Sequence, residues 1–414
     1  MVSPKLRFSN FSGPWRQELL ANLVRYTKGF AFKSDDYRSV GVRIIRVSDL
    51  SARDIKHNGE SIFIDEKCLD SYEQYKIKKD EIIITTVGSK PDLVDSAVGR
   101  GIFVTEENPG LLNQNMLKIN GLDGILNKFL FGQINTERYI AHIKSIQRGN
   151  ANQSNITVKE LLSFPIFITS FEEQTQIAYF LTSVDEKITL QTKQYDLLCQ
   201  YKKGMMHKIF SQEVRFKDEY GEEFPEWEES LLSERIKVQG GFAFKSQLFS
   251  EMASTKVLRI GDISEEIDLS AFSGVFSTET PAIRYQVNKG DFVMALSGAT
   301  FGKMGLIKCE SAFLNQRVAT FRLLDNTTDI LSFYYYYMST MEFINYIKSI
   351  PTASAQPNIS NKDIELYLSF IPTKKEQTKI ANFLSALDNK IAVKKAELDK
   401  LKTWKQGLLQ QMFV

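Results

Sequence analysis

The side chains that could do covalent or metal chemistry are few and poorly placed for it. His57, His142 and His207 are scattered, with no His-Glu-x-x-His helix, no paired cysteines and no Gly-x-Ser-x-Gly elbow. Neighbours in sequence therefore supply neither a zinc site nor an activated nucleophile. Cys68, Cys199 and Cys309 are odd in number and far apart, which fits reduced thiols rather than a disulfide framework or a metal clip. Residues 298–303 (GATFGK) have the wrong spacing for a nucleoside-triphosphate loop, and Met304 follows where Ser or Thr is needed. Asn108-Pro109-Gly110 lacks the second proline and the aromatic residue of the element used by amino-methyltransferases. The Asp-x-Lys fragments at Asp185 and Asp388, a pattern found in some nucleases, fall within heptad-patterned helices and read as solvated flanks. This inventory supports no enzyme.

The elements that carry these residues are written twice. GFAFKS occurs at residues 29–34 and, unchanged, at 241–246, an offset of 212. EQTQIAYFLTSVDEKI (173–188) matches EQTKIANFLSALDNKI (376–391) at 10 of 16 positions, with an offset of 203. Between these anchors the order is kept: Pro14-Trp15 answers Pro225-Glu226-Trp227, residues 75–88 answer 285–298, Asn113-Gln114 answers Asn315-Gln316, and NQSNIT (152–157) answers AQPNIS (355–360). A repeat of half the chain means duplication of a whole domain together with its trailing segment, not a solenoid. Each copy begins with strand-like runs, such as 81–87 and 291–296, continues through helical stretches at 125–146 and 330–350, and closes near Pro165 or Pro372. The aromatic run 334–337 is expected to pack in a core rather than stack on bases.

A heptad then follows each copy. Its apolar seam includes Ile177, Leu181, Val184, Ile188, Leu198 and Ile209 in the first and Ile380, Leu384, Leu387, Ile391, Leu398, Leu401 and Leu408 in the second. Strict 4-3 spacing over more than four heptads is a coiled-coil signature. The polar exceptions recur at matching slots, Gln191 with Lys394 and Lys202 with Lys405. Two readings stand: polar layers that fix register and antiparallel direction, or residues that snorkel at the rim. Forty residues of helix make a rod of about 60 Å, long enough to be a spacer between duplicated readers.

The 414 residues, 43% hydrophobic and 25% charged, describe a multidomain globular chain, and the formal charge of +2 is too small for a protein that grips phosphate backbones unaided. No run is apolar enough to span a membrane and the first residues lack a signal peptide's apolar core, so the expected location is the cytoplasm.

Taken together, the opening PKLRF with Pro14-Trp15, the mid-chain RFKDEYGEEFPEW (215–227), the GFAFKS loops, the Gln-x-Asn-Ile elements at 153–156 and 356–359, and the Glu-Gln-x-x-Ile-Ala helix starts resemble the specificity subunit (HsdS) of type I restriction-modification systems over nearly the whole chain. The resemblance implies an α+β protein. Two similar mixed α/β target-recognition domains, at 1–168 and 213–372, are joined by two long antiparallel coiled-coil helices, at 169–212 and 373–414, with a pseudo-twofold internal repeat. It also implies partners: double-stranded DNA read as two half-sites, two methyltransferase subunits, and restriction subunits held through them. S-adenosylmethionine, ATP and Mg would be bound only by those partner subunits, and no cofactor or metal by this chain. A scaffold that binds proteins without reading bases is the alternative, and a nuclease acting alone a third.

Base readout needs Arg, Lys, Asn, Gln, Ser or Thr on loops, whereas phosphate contacts need only a donor near the backbone. Lys33-Ser34 and Lys245-Ser246 are candidate phosphate contacts, although GFAFKS reads equally as a turn anchored by its aromatics. Ser89 and Lys90, with Ser297, Thr300 and Lys303, lie on loops after strands; Arg148, Asn150, Gln153 and Gln356 precede the helix connectors. Asn113-Gln114 and Asn315-Gln316-Arg317 could read adenine or guanine edges, or could be buried amides at strand ends. On the exposed helix flanks, Lys187, Lys193, Lys390 and Lys395 illustrate a surface for partner subunits.

Overall fold

The structure, a computed structural model, describes residues 3–51, 54–57, 60–91, 97–150, 153–350 and 358–413, with Asn150 described by its backbone alone. Its contacts divide the chain into two units. The first comprises Met1–Lys193 with Ala396–Val414, the second Gln194–Lys395. Each of the long helices, Phe171–Phe210 and Lys374–Met412, begins in the unit of its own copy and ends in the other.

In the first unit a four-stranded sheet has the order Val24–Lys28, Met116–Gly121, Ile82–Thr85, Gly101–Phe103, all antiparallel. A second sheet runs Ile62–Ile64, Val42–Ile45, Gly110–Leu112, Lys76–Ile77, with its central pair parallel. The second unit repeats both. Its first sheet, Ile236–Gly240, Val318–Leu323, Phe292–Ala295, Met304–Cys309, gains a fifth strand, Glu266–Asp268; its second, Val275–Ser277, Thr255–Leu258, Ser311–Leu314, Gln286–Asn288, keeps the parallel central pair. The mixed topology and its duplication match the expected fold class.

The single helical stretches expected at 125–146 and 330–350 are each two helices: Asn127–Gln133 with Glu137–Ile146, and Leu331–Tyr337 with Met341–Ser349. A threonine causes both breaks. Thr136 accepts the Tyr139 N–H and donates to the Gln133 carbonyl, and Thr340 does the same with Phe343 and Tyr337, so the hydroxyl ends one helix and caps the next. The aromatic run is core: Tyr334, Tyr336 and Tyr337 are buried, with hydroxyls bonded to Asp329, Asp388 and the Phe370 N–H.

The heptad residues form a seam that merges with the domain cores. In the first unit Ile177, Leu181, Val184 and Ile188 share one cluster with Leu398, Leu408, Leu409, Met412, Trp15 and Phe129, and Leu401 packs on it. Gly132 is approached by both Leu181 and Phe413, whereas Asp185, further along the first long helix, meets Lys405, further back along the second. Here the two helices are antiparallel. In the second unit Ile209 clusters with Ile380, Leu384 and Leu387, while Lys202, nearer the start of its helix, binds Asp388, further along its own. Leu198 and Ile391 are half-buried.

The lysine slots of the seam are polar layers in both units. Lys405 pairs with Asp185, which also takes Lys128 at 2.9 Å; Lys202 pairs with Asp388 at 2.5 Å, which also accepts the Tyr336 hydroxyl at 2.8 Å. Asp185 and Asp388 are therefore not the solvated flanks expected from the heptad pattern. Burial pushes the Asp185 carboxyl up, but the two lysines outweigh it and hold it below the usual carboxylate range.

Candidate nucleic-acid interface

The loops nominated from sequence converge in each unit through backbone hydrogen bonds. In the first unit Phe30 of GFAFKS donates to the Leu112 carbonyl at 3.0 Å, and its own carbonyl accepts the Gln114 N–H at 2.8 Å. Asn115, with φ 68°, accepts Thr86 N–H at 2.7 Å. The next residues, Val87–Gly88, form the edge of a three-stranded sheet with Gln153–Asn155 and Arg148–Asn150. GFAFKS, the Asn-Gln turn, the loop that reaches Ser89-Lys90 and the paired strands Arg148–Asn150 and Gln153–Asn155 are thus contiguous.

The second unit repeats the chain of contacts. Phe242 donates to Leu314 at 2.8 Å, the Arg317 carbonyl accepts Leu296 N–H at 2.9 Å, and Ser297 bridges to Asn358. The identical hexapeptides now have a physical reason. A Cβ on Gly29 would lie 1.8 Å from the Asn113 carbonyl oxygen, and one on Gly241 2.2 Å from that of Asn315. Only glycine lets the two backbones meet. Phe30 and Phe32 pack on each other and on Tyr72, as Phe242 does on Phe244 and Tyr285, so the aromatics anchor a turn that leaves Lys33, Ser34, Lys245 and Ser246 exposed.

The remaining candidates separate by burial. Gln114, Lys90, Gln153, Lys303, Gln316 and Arg317 are exposed. Arg148 is exposed and paired with Glu160. Asn113 is 8% exposed and its side-chain oxygen accepts the Gln114 N–H at 2.6 Å, the arrangement of a buried amide at a strand end. Asn315 is half-buried at the equivalent point. Ser297 is 4% exposed and Thr300 donates to the Ile260 carbonyl at 3.3 Å. Neither hydroxyl is turned outward here, because the short strand-to-strand loop packs against the turn at Ile260. Ser89 is half-buried and its carbonyl accepts Val98 N–H at 2.9 Å. Gln356 and the Asn150 side chain lie outside the described residues.

Gly99 and Gly302, where the alignment of the copies is hardest to read, have φ of 76° and 74° and sit against Ile143 and Ile347. They are equivalent positions. The intervening loop is therefore longer in the first copy, reaching Gly99 from Gly88, where the second reaches Gly302 from Gly298.

Two sets of residues escaped the sequence reading. Asn115 is the counterpart of Arg317, and the recurring Asn-Gln pair was the signal for it. Glu173 and Glu376, seen only as helix starts, are buried anchors. Arg7 donates to both Glu173 carboxylate oxygens at 2.7 Å and Trp15 Nε1 donates at 3.3 Å. Arg215 and Trp227 do the same to Glu376, with the closest contacts at 2.9 and 3.1 Å. Burial would raise the Glu173 carboxyl, but Arg7 and Thr169 hold it below its ordinary value.

Two related α+β units, each sharing half of two long antiparallel-paired helices and each exposing one cluster of polar loops, define a tandem recognition protein. The model of the type I restriction modification DNA specificity domain matches residues 14–199 and again 225–403, and the chain belongs to that family. The type I restriction enzyme MjaVIII specificity subunit of Methanocaldococcus jannaschii is 26% identical over 91% of this chain and 95% of its own. The EcoAI specificity subunit of Escherichia coli is 26% identical over 47% of this chain and 31% of its own. The crystal structure of a type I restriction-modification S subunit from M. genitalium superposes with a TM-score of 0.59, at 18% identity, over 100% of this chain and 99% of that one. Among the described residues no helix is long and apolar enough to cross a membrane, and no group of three His, Cys, Asp or Glu side chains could hold a metal ion.

Proposed function

We propose that this chain is the sequence reader of a type I restriction-modification complex, each unit recognising one half of a bipartite double-stranded DNA target. One observation carries the reading: the same backbone platform is built twice, while the side chains it exposes differ. Gln114-Asn115 stand where the second copy has Gln316-Arg317, and the adjoining loops differ in length. A shared scaffold with divergent exposed amides and guanidinium is what two half-sites of different sequence require. Lys33 and Lys245, on identical loops, suit phosphate contacts that both half-sites need.

In this reading two methyltransferase subunits dock on the outward flanks of the long helices, with restriction subunits joining through them in the cytoplasm. S-adenosylmethionine, ATP and Mg belong to those partners. The modest net charge of +2 fits a grip on DNA shared with them. The test is binding or methylation on a randomised duplex library, with the chain assembled on its modification subunits. Enrichment of one two-part sequence is expected. Affinity without sequence preference would support the protein-scaffold alternative.

A further inference from the structure

The buried Arg–Glu–Trp clusters lie at the point where each domain becomes a long helix. Glu173 is 1% exposed and Glu376 0%. Each is held by a guanidinium from the segment that precedes the first strand of its copy and by the indole of the residue immediately before that strand. The strand itself, Arg16–Leu19 or Glu228–Leu231, pairs with the strand that leads into the helix, Pro165–Ile168 or Leu368–Ile371. The next residue locks the joint again. Gln174 accepts Leu126 N–H and donates to the Gly124 and Thr169 carbonyls; Gln377 accepts Ile330 N–H and donates to Pro372 and Asp329.

A buried ion pair is a weak source of stability, since well-packed apolar residues often do as well, but its two parallel N–H···O contacts are strongly directional. Its appearance in both units, with the same three residue types, therefore points to geometry as its purpose. We propose that Glu173 and Glu376 are positioning residues for DNA recognition. Each fixes the angle at which its domain leaves its own long helix, and so restricts the spacer length between half-sites that the subunit accepts. This rests on the bipartite reading proposed above.

The test uses the full chain assembled with its modification subunits and duplexes with constant half-sites and spacers one or two base pairs longer or shorter. The wild-type complex is expected to favour its own spacer by ~tenfold or more, comparable to the effect of one wrong base pair, and Glu173→Gln or Glu376→Gln to reduce this to ~twofold with unchanged half-site bases. Arg7→Lys and Arg215→Lys, which keep the charge but lose the fork, should behave alike and guard against misfolding of the glutamine variants. Leu161→Ala, a fully buried core change in the first unit, is the control for lost stability and should keep the wild-type preference. Unchanged spacer preference in the glutamate and arginine variants, or broadening in Leu161→Ala to the same degree, overturns the inference. A wild-type complex with no two-part target overturns the bipartite reading, and this inference with it.

Discussion

Phe413 provides a stringent test of how the second long helix serves the first unit. Its ring is 5% exposed, 5.5 Å from the Phe129 ring and 6.3 Å from the Trp15 ring. Phe413→Ala should destabilise the first unit by ~3–5 kcal/mol, the usual cost of emptying a buried aromatic site. Gly132 faces the same ring: a methyl there would lie 2.4 Å from Cζ of Phe413 and 3.2 Å from Leu181. Because the ring is held between Trp15 and Phe129 it cannot swing aside, so Gly132→Ala should cost ~1–3 kcal/mol by overpacking, offset by ~1 kcal/mol of helix propensity. In the double variant the methyl occupies the vacated space. The two effects should then fall short of additive by ~1–2 kcal/mol. Urea unfolding followed by Trp15 fluorescence, with Trp227 and Trp404 replaced by Phe, isolates the first unit in a chain that need not unfold in one step. Strict additivity, or a cost below ~1 kcal/mol for Phe413→Ala, would refute the packing argument.

Other outcomes rest on the same contacts. Asp185 titrates below its ordinary value of 3.8, so its stabilising contribution is fully present above that pH and is lost as pH falls through the lower folded value. The stability difference between wild type and Asp185→Asn should therefore hold steady between about pH 5 and 7 and shrink below about pH 4 in pH-dependent urea melts. Tyr336→Phe removes a hydroxyl bonded to a carboxylate at 2.8 Å and should cost ~1.5–3 kcal/mol in the second unit. Lys33→Ala and Lys245→Ala should weaken DNA binding evenly across sequences and each reduce the salt slope by ~1, whereas Arg317→Ala should relax discrimination in one half-site alone.

Much of this architecture is legible in the sequence because it is periodic or repeated. The 4-3 pattern gives both long helices, and the doubled GFAFKS, Asn-Gln and Glu-Gln motifs locate equivalent points in the two copies. What the sequence conceals is long-range partnership. Nothing near Glu173 announces Arg7 or Trp15, more than 150 residues away in the chain. The heptad reading stops at Met412, so Phe413 looks like a trailing residue although it completes the core of the other copy. Exposure is hidden for the same reason: Asn113 and Gln114 are neighbours of similar chemistry, yet the fold buries one and leaves the other facing water. Asp185 appears as a surface charge, and the seam slot of Lys405 does not disclose which acid it meets, until the antiparallel pairing joins them.

Independent reading by the two units is tested most directly by methylation mapping after exchange of one recognition domain. Residues 20–160 would be replaced by the equivalent part of another family member, and the genome of cells expressing the complete system sequenced for methylated bases. One half of the methylated target should change and the other half remain as in the wild type. A change in both halves, or in neither, would contradict it.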